Sequence, residues 1–331
     1  MAGRRPAGYG RPLSYRGTTV LKTPAARDAL RDLLARLESS GYDFVTPTPA
    51  THARILARPG RQVARDLRDV FGWSLPFAPA LLPPQLIAAL EAAGAVELHP
   101  AGLKASLRVS RVGGTLFLHS AYPTEHRDAV FLGPDTYRFA DFIRTRLEWT
   151  PEPTRIVDIG TGAGVGGVIA GLRHRTATLT LVDINPDALF LAEINAVHAG
   201  LHAVTRLGSG LDGLDGPFDL VLANPPFIVD PGARAYRDGG DMHGARISID
   251  WAEAAARRLA PGGRLLLYTG SAIVDGRDAM RERLAADAAT LGCTFDHAEL
   301  DPDIFGEELD QPAYADVDRI AAVRIVMTRM A

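Results

Sequence analysis

The sequence feature that most constrains the fold is a short apolar run that ends in closely spaced glycines. Residues 155–166 read RIVDIGTGAGVG, and an apolar segment continues over residues 165–172. The pattern predicts a buried strand, a tight turn and the first turn of a helix, because glycine permits sharp bends and lets a ligand approach the backbone. Turns of this kind serve many nucleotide-like ligands, so the turn alone does not identify the ligand.

Two later apolar runs are expected to deliver polar groups to the same edge of a sheet. Residues 178–183 predict a second strand that ends in Asp183, where a carboxylate can accept hydrogen bonds from both hydroxyls of a ribose. Ile184 follows and is expected to lie against an adenine face. Residues 218–223 predict another strand, which places the tetrapeptide 224–227 (Asn-Pro-Pro-Phe) at the ligand-binding edge.

These motifs together resemble the class I S-adenosylmethionine-dependent methyltransferases. More narrowly, residues 131–329 resemble the small-domain group, which includes the HemK/PrmC protein-glutamine methyltransferases and the base-amine methyltransferases of RNA and DNA. The resemblance implies an α/β fold with a Rossmann-like, seven-stranded, doubly wound sheet and S-adenosyl-L-methionine as the cofactor. It implies cofactor contacts at Asp158, Gly160, Thr161, Gly162, Gly164, Asp183, Ile184, Ser209, Gly210 and Asn224.

The tetrapeptide is interpreted as the catalytic motif, because its polar groups can orient a substrate nitrogen. A planar NH2 group is a poor nucleophile because its lone pair is delocalised. The Asn224 side-chain oxygen and the Pro225 carbonyl can each accept one of its hydrogens, which orients the nitrogen and stabilises developing positive charge. Pro225 and Pro226 leave no competing N–H donor and hold the turn rigid, and Phe227 offers a face for a flat substrate. A plain Asn-Pro turn after a strand is the alternative.

The chain departs from the family pattern at two positions. Family members often have an acid after the third strand that binds the adenine amine, but here residues 207–212 read LGSGLD and Gly210 stands in its place. Ser209 or a backbone group is left to make that contact, and Asp212 substitutes only if the register shifts. The tetrapeptide ends in Phe227 where the family has a tyrosine, so it offers no hydroxyl.

A segment before the first strand of the sheet is expected to cover the cofactor. In the resembled family a Pro-x-Thr-like turn has this role, which makes Phe131, Asp135 and Thr136 candidates for the cover. A helix N-cap at Asp135 or Thr136 is the alternative.

A mobile substrate lid is expected after the tetrapeptide, with a plain surface loop as the alternative. Its candidate substrate-contacting residues are Arg234, Tyr236, Arg237 and Asp238.

The first part of the chain predicts a flexible arm over residues 1–22 and a winged-helix-like substrate-recognition domain over residues 23–125. The methyltransferase domain is expected over residues 126–331. In the N-terminal region, periodicity and turn signals predict helices at 24–37, 50–57, 60–71 and 83–93 and strands at 95–99, 106–112 and 115–119. Such a module often binds nucleic acid, but it also serves as a docking unit.

In the second part, helical and strand patterns alternate as a parallel sheet with crossovers requires. The predicted helices are 164–173, 186–199, 245–259 and 276–291, and the later strands are 263–269, 294–299 and 319–328. The last two strands are expected to form an antiparallel hairpin at the sheet edge.

Composition and charge restrict the expected cellular location and the expected partners of the protein. No apolar stretch reaches the ~20 residues that span a bilayer, no signal peptide is evident, and Cys293 is the single cysteine, so a cytoplasmic protein is expected. The nine histidines show no metal-ligand spacing.

Residues 1–150 carry 20 Lys+Arg and 13 Asp+Glu, a net +7, and residues 151–331 carry 16 and 26, a net −10. The basic half suits an anionic partner such as RNA, or is simply a solvated surface.

The sequence therefore predicts an N-methyltransferase that acts on a planar NH2 nitrogen, preferably the amide of a protein glutamine. Methylation of an exocyclic amine of guanine or adenine in rRNA or tRNA is the nearest alternative. A third hypothesis is a non-catalytic regulator that binds S-adenosylmethionine. The methyl acceptor, a protein or an RNA, and the oligomeric state are not determined by the sequence.

Overall fold

The computed structural model describes residues 20–124, 126–148, 152–230, 234 and 236–331. The predicted arm therefore lies outside the described residues, except for its last three positions. Within the described residues no helix is long and apolar enough to cross a lipid bilayer.

From residue 20 on, the described N-terminal region has four α-helices, a 3-10 turn at Pro79–Leu81 and then two hairpins. Its elements are α1 (Pro24–Ser39), α2 (Pro49–Leu56), α3 (Leu67–Phe71), α4 (Pro84–Ala92), β1 (Val96–His99), β2 (Gly102–Ala105), β3 (Leu107–Val112) and β4 (Thr115–Ser120). Strands β1 and β2 form one antiparallel sheet, and β3 and β4 form another. The predicted turn at Gly113 and Gly114 joins β3 to β4, and both glycines have positive φ. Strand β2 was not predicted. The winged-helix assignment stays a prediction.

The helix predicted over residues 60–71 is wrong for most of its length, because α3 begins only at Leu67. The Asp69 carboxylate, which is 2% exposed, accepts from the Arg65 backbone N–H at 3.1 Å and forms ion pairs with Arg61 and Arg65 at 2.9 and 3.0 Å. Asp66 then caps α3 by accepting from the Asp69 N–H. The preceding residues wrap around a buried carboxylate, which competes with helix formation.

The rest of the chain forms the predicted α/β sheet. Its elements are α5 (Pro134–Arg144), β5 (Arg155–Ile159), α6 (Val165–Arg173), β6 (Thr178–Asp183), α7 (Pro186–His198), β7 (Ala203–Leu207), β8 (Phe218–Ala223), α8 (Arg246–Arg258), β9 (Leu259–Val274), β10 (Arg277–Asp278), α9 (Ala279–Thr290), β11 (Cys293–Asp301) and β12 (Arg319–Arg329). Two short 3-10 turns, Gly306–Asp310 and Pro312–Tyr314, precede β12.

The sheet has the order β11-β12-β9-β8-β5-β6-β7, with the two-residue β10 paired to β9. Neighbours from β9 to β7 are parallel, while β12 pairs antiparallel with both β9 and β11. The seven-stranded, doubly wound fold and its antiparallel edge hairpin are therefore confirmed. The carboxyl ends of β5, β6, β7 and β8 meet at one edge, where such folds bind ligands.

The N-terminal region shares its hydrophobic core with the sheet domain. Side chains from α1, such as Leu30, belong to the same buried cluster as Val168 of α6 and Ile194 of α7. The boundary near residue 125 stays a prediction, since no gap in packing marks it.

The side chain of Asn195 on α7 links the two regions and is fully buried. Its Oδ1 accepts from the Leu118 N–H of β4 at 2.8 Å, and its Nδ2 donates to the Leu118 carbonyl at 3.0 Å. The same Nδ2 donates to the carbonyl of Ala163 in the glycine turn at 2.9 Å. One buried amide thus fixes the hairpin β3–β4 to the turn that follows β5.

We expect Asn195→Ala to lower the free energy of unfolding by about 2–4 kcal/mol, because it leaves a buried N–H and two buried carbonyls without this partner. Urea denaturation of the full chain measures the change. The matched control is Gln62→Ala, which removes an exposed amide and is expected to change stability by less than about 0.5 kcal/mol. Equal effects of the two substitutions would contradict the linking role of Asn195.

Candidate active site

A cavity of about 800 Å³ lies at the carboxyl edge of the sheet. Nearly all the residues singled out from the sequence line it. They are Phe131, Thr136, Asp158, Gly160, Thr161, Gly162, Asp183, Ile184, Ser209, Gly210, Asn224, Pro225, Pro226, Phe227, Arg234, Tyr236 and Arg237. Gly164 and the lid candidate Asp238 are not among the residues that line the cavity.

Asp158 holds the glycine turn from beneath. Its Oδ2 accepts from the Thr161 hydroxyl at 2.6 Å and from the Gly167 N–H at 2.8 Å, so it connects the two ends of the turn. Burial raises the pKa of Asp158 to about 6 and outweighs these two hydrogen bonds, which lower it.

The three glycines of the turn have different roles. Gly160, Gly162 and Gly164 all have positive φ, which glycine adopts without strain. A Cβ on Gly160 would lie 2.6 Å from the Trp251 ring, and one on Gly164 would lie 3.0 Å from Ala192 of α7. Only at Gly162 would it meet open space. Gly164 thus permits close packing against α7, and the expectation that all three glycines admit the ligand stays a prediction.

Asp183 is the last residue of β6 and Ile184 follows it, and both line the cavity. The Asp183 carboxylate accepts from the Gly162 N–H at 2.8 Å through one oxygen and from the Asn185 N–H at 2.9 Å through the other. Each oxygen keeps acceptor capacity for a further donor. Ile184 is 57% exposed, which leaves an apolar side chain at the cavity available to a flat ligand.

In the loop after β7, Gly210 stands where family members often have a carboxylate. Gly210 is buried with φ +56°, and a Cβ there would approach Nε1 of Trp251 to 3.2 Å. Asp212 lines the cavity but its side chain is exposed, and its N–H closes a turn onto the Ser209 carbonyl at 3.1 Å. Trp251 of α8 is a lining residue that the sequence reasoning missed, because a single aromatic in an amphipathic helix looks like a core residue.

The tetrapeptide after β8 turns its first residue to the cavity and its last toward the core. Asn224 is partly exposed, and its side-chain amide makes no hydrogen bond with any residue that the structure describes. Phe227 is only 8% exposed and packs against Gly270 and edge-on to Phe305 at 5.7 Å. Phe227 therefore anchors the turn and shows little of its face to the cavity, so substrate stacking on it stays a prediction.

The predicted cover is the start of α5. The helix begins at Pro134 with Gly133 as its N-cap, and the Gly133 N–H donates to the Thr136 hydroxyl at 3.4 Å. The alternative that placed the cap at Asp135 or Thr136 is therefore wrong by two residues or more, because the fixed φ of proline suits the first helical position. Asp135 is buried, lines the cavity and accepts from the Tyr268 hydroxyl at 2.6 Å. Burial raises its pKa.

Both arginines of the predicted lid are paired with carboxylates of the chain. Arg234 donates to Asp230 at 2.8 Å, and Arg237 forms an ion pair with the buried Glu308. The pKa of Asp230 is lowered to about 2 by its hydrogen bonds from Arg234. Residues 231–233 and 235 lie outside the described part of the chain.

Tyr236 closes the cavity from the lid side. Its hydroxyl donates to the Thr124 carbonyl at 2.6 Å, and its ring stacks on Phe131 with centroids 5.6 Å apart and planes 13° apart. The structure thus brings together two residues that the sequence placed in separate segments.

The N-terminal region also contributes to the cavity wall, through Pro49 and the segment 122–124. The Tyr122 ring stacks on His52 at 4.0 Å, and its backbone N–H donates to the Ser74 hydroxyl at 3.0 Å. No sequence motif marks these residues. They reach the site because Asn195 and the shared core place the N-terminal region beside the glycine turn.

The raised pKa of Asp158 predicts a pH dependence of stability. The folded protein keeps a proton on this group up to about pH 6, while the unfolded chain loses it near the ordinary value of 3.8. The wild type therefore loses stability relative to Asp158→Asn as the pH rises through this window, by up to roughly 3 kcal/mol. Urea unfolding of both proteins at pH 4.5 and pH 7 measures the difference. A difference that does not change with pH would contradict the assignment.

The chain is similar to known methyltransferases. The profile of the methyltransferase small domain family matches residues 140–286. The release factor glutamine methyltransferase of Deinococcus radiodurans is 38% identical over 172 residues, which is 47% of this chain and 56% of that protein. The protein of the same name from Cereibacter sphaeroides is 30% identical over 273 residues, or 75% of this chain and 86% of that one.

The share of a relative's length that this chain matches thus varies, and for the Deinococcus protein it is little more than half. Among solved structures, Trm5b from Pyrococcus abyssi has a TM-score of 0.48 at 14% identity, over 75% of this chain and 68% of that one. A likeness at that level says nothing about function. The sequence matches, the order of the strands and the Asn-Pro-Pro-Phe motif at the carboxyl edge of the sheet all indicate the same family. The chain belongs to the class I S-adenosylmethionine-dependent methyltransferases, in the HemK-like small-domain group.

Proposed function

We propose that this protein methylates the side-chain amide nitrogen of a glutamine in a protein substrate, of the release-factor kind for which its relatives are named. The observation that carries the proposal is the position of Asn224. Asn224 lines the cavity, and its side-chain amide has no hydrogen-bond partner among the described residues. The glycine turn and Asp183 line the same cavity.

The residues present fit the cofactor. Asp183 keeps acceptor capacity on both oxygens for the two ribose hydroxyls, and exposed Ile184 offers an apolar surface to the base. At Gly162 the backbone is open, which leaves room for the methionine part beside it. S-adenosylmethionine supplies an electrophilic methyl group on a positively charged sulfur.

The chain's own residues position the nucleophile. The Asn224 oxygen and the Pro225 carbonyl accept the two hydrogens of the substrate NH2 group, which orients its nitrogen and stabilises the positive charge that develops there. Phe227 holds this turn in place through its packing on Gly270. When the nitrogen–methyl bond has formed, the surplus proton on nitrogen is acidic and leaves to water, so a strong base is not required.

The charge of the cavity favours a neutral amide over a nucleic acid. Its described lining residues carry six carboxyl groups and two guanidinium groups: Asp135, Asp158, Asp183, Asp212, Asp250, Glu307, Arg234 and Arg237. Both arginines are already paired with carboxylates of the chain. A polyanion that entered here would meet a negative surface with its cations already engaged, which opposes binding.

The test is transfer of label from methyl-labelled S-adenosylmethionine to two acceptors, a release factor and bulk ribosomal and transfer RNA. We expect label in the protein, and we expect substitution of the modified glutamine by glutamate to abolish it. Label in RNA alone would replace the proposal by base-amine methylation. Cofactor binding without transfer to either acceptor would favour the non-catalytic regulator.

We expect Asn224→Ala to lower kcat by about 10²–10³-fold, the effect of removing one group that stabilises transition-state charge. The dissociation constant of S-adenosylhomocysteine, measured by calorimetry, is expected to change by less than about threefold, because Asp183 and the glycine turn are untouched. A loss of cofactor binding equal to the loss of turnover would assign Asn224 to the cofactor rather than the acceptor.

The N-terminal wall of the cavity is expected to contact the acceptor. Tyr122→Leu removes the ring that stacks on His52 and is expected to raise the KM for the protein acceptor by about 3- to 10-fold. Tyr122→Phe keeps the ring and is the matched control, with a KM close to that of the wild type. An unchanged KM in Tyr122→Leu would mean that the acceptor does not reach this wall.

A further inference from the structure

Trp251 lies beside Gly210, the position in the loop after β7 where family members often have a carboxylate. Its indole extends from α8 across the ends of two strands. A Cβ on Gly160, after β5, would lie 2.6 Å from Cη2, and a Cβ on Gly210, after β7, would lie 3.2 Å from Nε1. The six-membered ring is therefore beside the glycine turn, and the indole nitrogen is beside the position of the missing acid.

This tryptophan is available to a ligand. It lines the cavity and is only partly buried. Its indole N–H makes no hydrogen bond with any described residue, although a tryptophan N–H in such a setting usually finds a partner. The aromatic surface and the donor are thus both presented at the edge that also carries Asp183 and Ile184.

The neighbouring carboxylates are less suited to hold a base. Asp250 precedes Trp251 on α8 but accepts from Arg246 at 2.9 Å near the surface. Asp212 is exposed at the rim, in a turn closed by its own N–H. Gly210 has no side chain, and its positive φ and close contact with the indole oppose any larger residue.

We propose that Trp251 is the residue that recognises the base of the cofactor, in place of the carboxylate that Gly210 lacks. An indole offers an aromatic face for stacking and one N–H donor for a ring nitrogen, but no acceptor for an exocyclic amine. The site therefore binds the base mainly by stacking, and it discriminates only weakly between a base that carries the 6-amino group and one that does not. The proposal deepens the function proposed above and depends on it only for the identity of the cofactor.

Binding of S-adenosylhomocysteine to the full chain tests the contact without need of an acceptor. The chain has three tryptophans, and we expect the ligand to quench the fluorescence of Trp251 in the wild type and not in its variants. Trp251→Leu keeps an apolar side chain on α8 but has no ring, and we expect binding to weaken by about 10- to 100-fold. Trp251→Phe keeps a ring, and we expect binding within about fivefold of the wild type. Thermal unfolding of each variant verifies that it is folded.

The second measurement addresses the 6-amino group. S-inosylhomocysteine carries an oxygen in place of that amine, and we expect the wild type to bind it within about fivefold of S-adenosylhomocysteine. We expect Asp212→Ala to leave this ratio unchanged. If the wild type strongly prefers S-adenosylhomocysteine to S-inosylhomocysteine and Asp212→Ala does not, recognition of the amine would be assigned to Asp212. That result would overturn the proposal.

The failures of the two proposals are distinguishable. A wild type that binds no S-adenosylhomocysteine would contradict the proposed function itself. A wild type that binds it, with affinity and quenching unchanged in folded Trp251→Leu, would overturn only the role of Trp251.

Discussion

The site depends above all on the shape of one glycine turn, which side chains from three elements hold in place. Asp158 at the end of β5 accepts from Thr161 and Gly167. Asp183 at the end of β6 accepts from Gly162, and Asn195 on α7 donates to the carbonyl of Ala163. A turn rich in positive φ angles has a large conformational entropy to lose on folding. These hydrogen bonds offset part of that loss and restrict the shape of the turn.

The same restraints determine where an acceptor can approach. Asn195 fixes both the glycine turn and strand β4, so the N-terminal region cannot shift without disturbing the turn. Tyr122 and Thr124, which follow β4, therefore lie at the cavity beside Tyr236. The methyl donor half and the acceptor half of the proposed site are thus parts of one packed core, and a common structural element positions both.

Electrostatics is the ground on which we propose an amide acceptor rather than a base, a choice that the motif alone leaves open. Asn-Pro-Pro-Phe serves any planar NH2 group, in an amide or on a base. The lining carboxylates, and the engagement of Arg234 with Asp230 and Arg237 with Glu308, make the cavity unfavourable for phosphate. The net positive charge of the first 150 residues is not concentrated on the described cavity wall.

The sequence by itself determined the fold class, the sheet edge that carries the site and many of the residues that line it. Strand periodicity, glycine turns and the residues that end strands are local properties, and a parallel sheet necessarily brings the carboxyl ends of its strands together. The start of α3 could not be predicted, because the buried Asp69 draws the preceding residues away from helix through contacts between side chains. The orientation of Phe227 also depended on packing, here against Gly270.

Only the tertiary structure revealed Trp251, Tyr122 and Asn195 as parts of the site. Each is a single residue within an ordinary helix or loop, with no spacing that signals a ligand. Trp251 matters because two glycines, 41 and 91 residues before it, leave room for its ring. Contacts across such distances arise from the packing of α8 on the sheet, and no local pattern of residues encodes them.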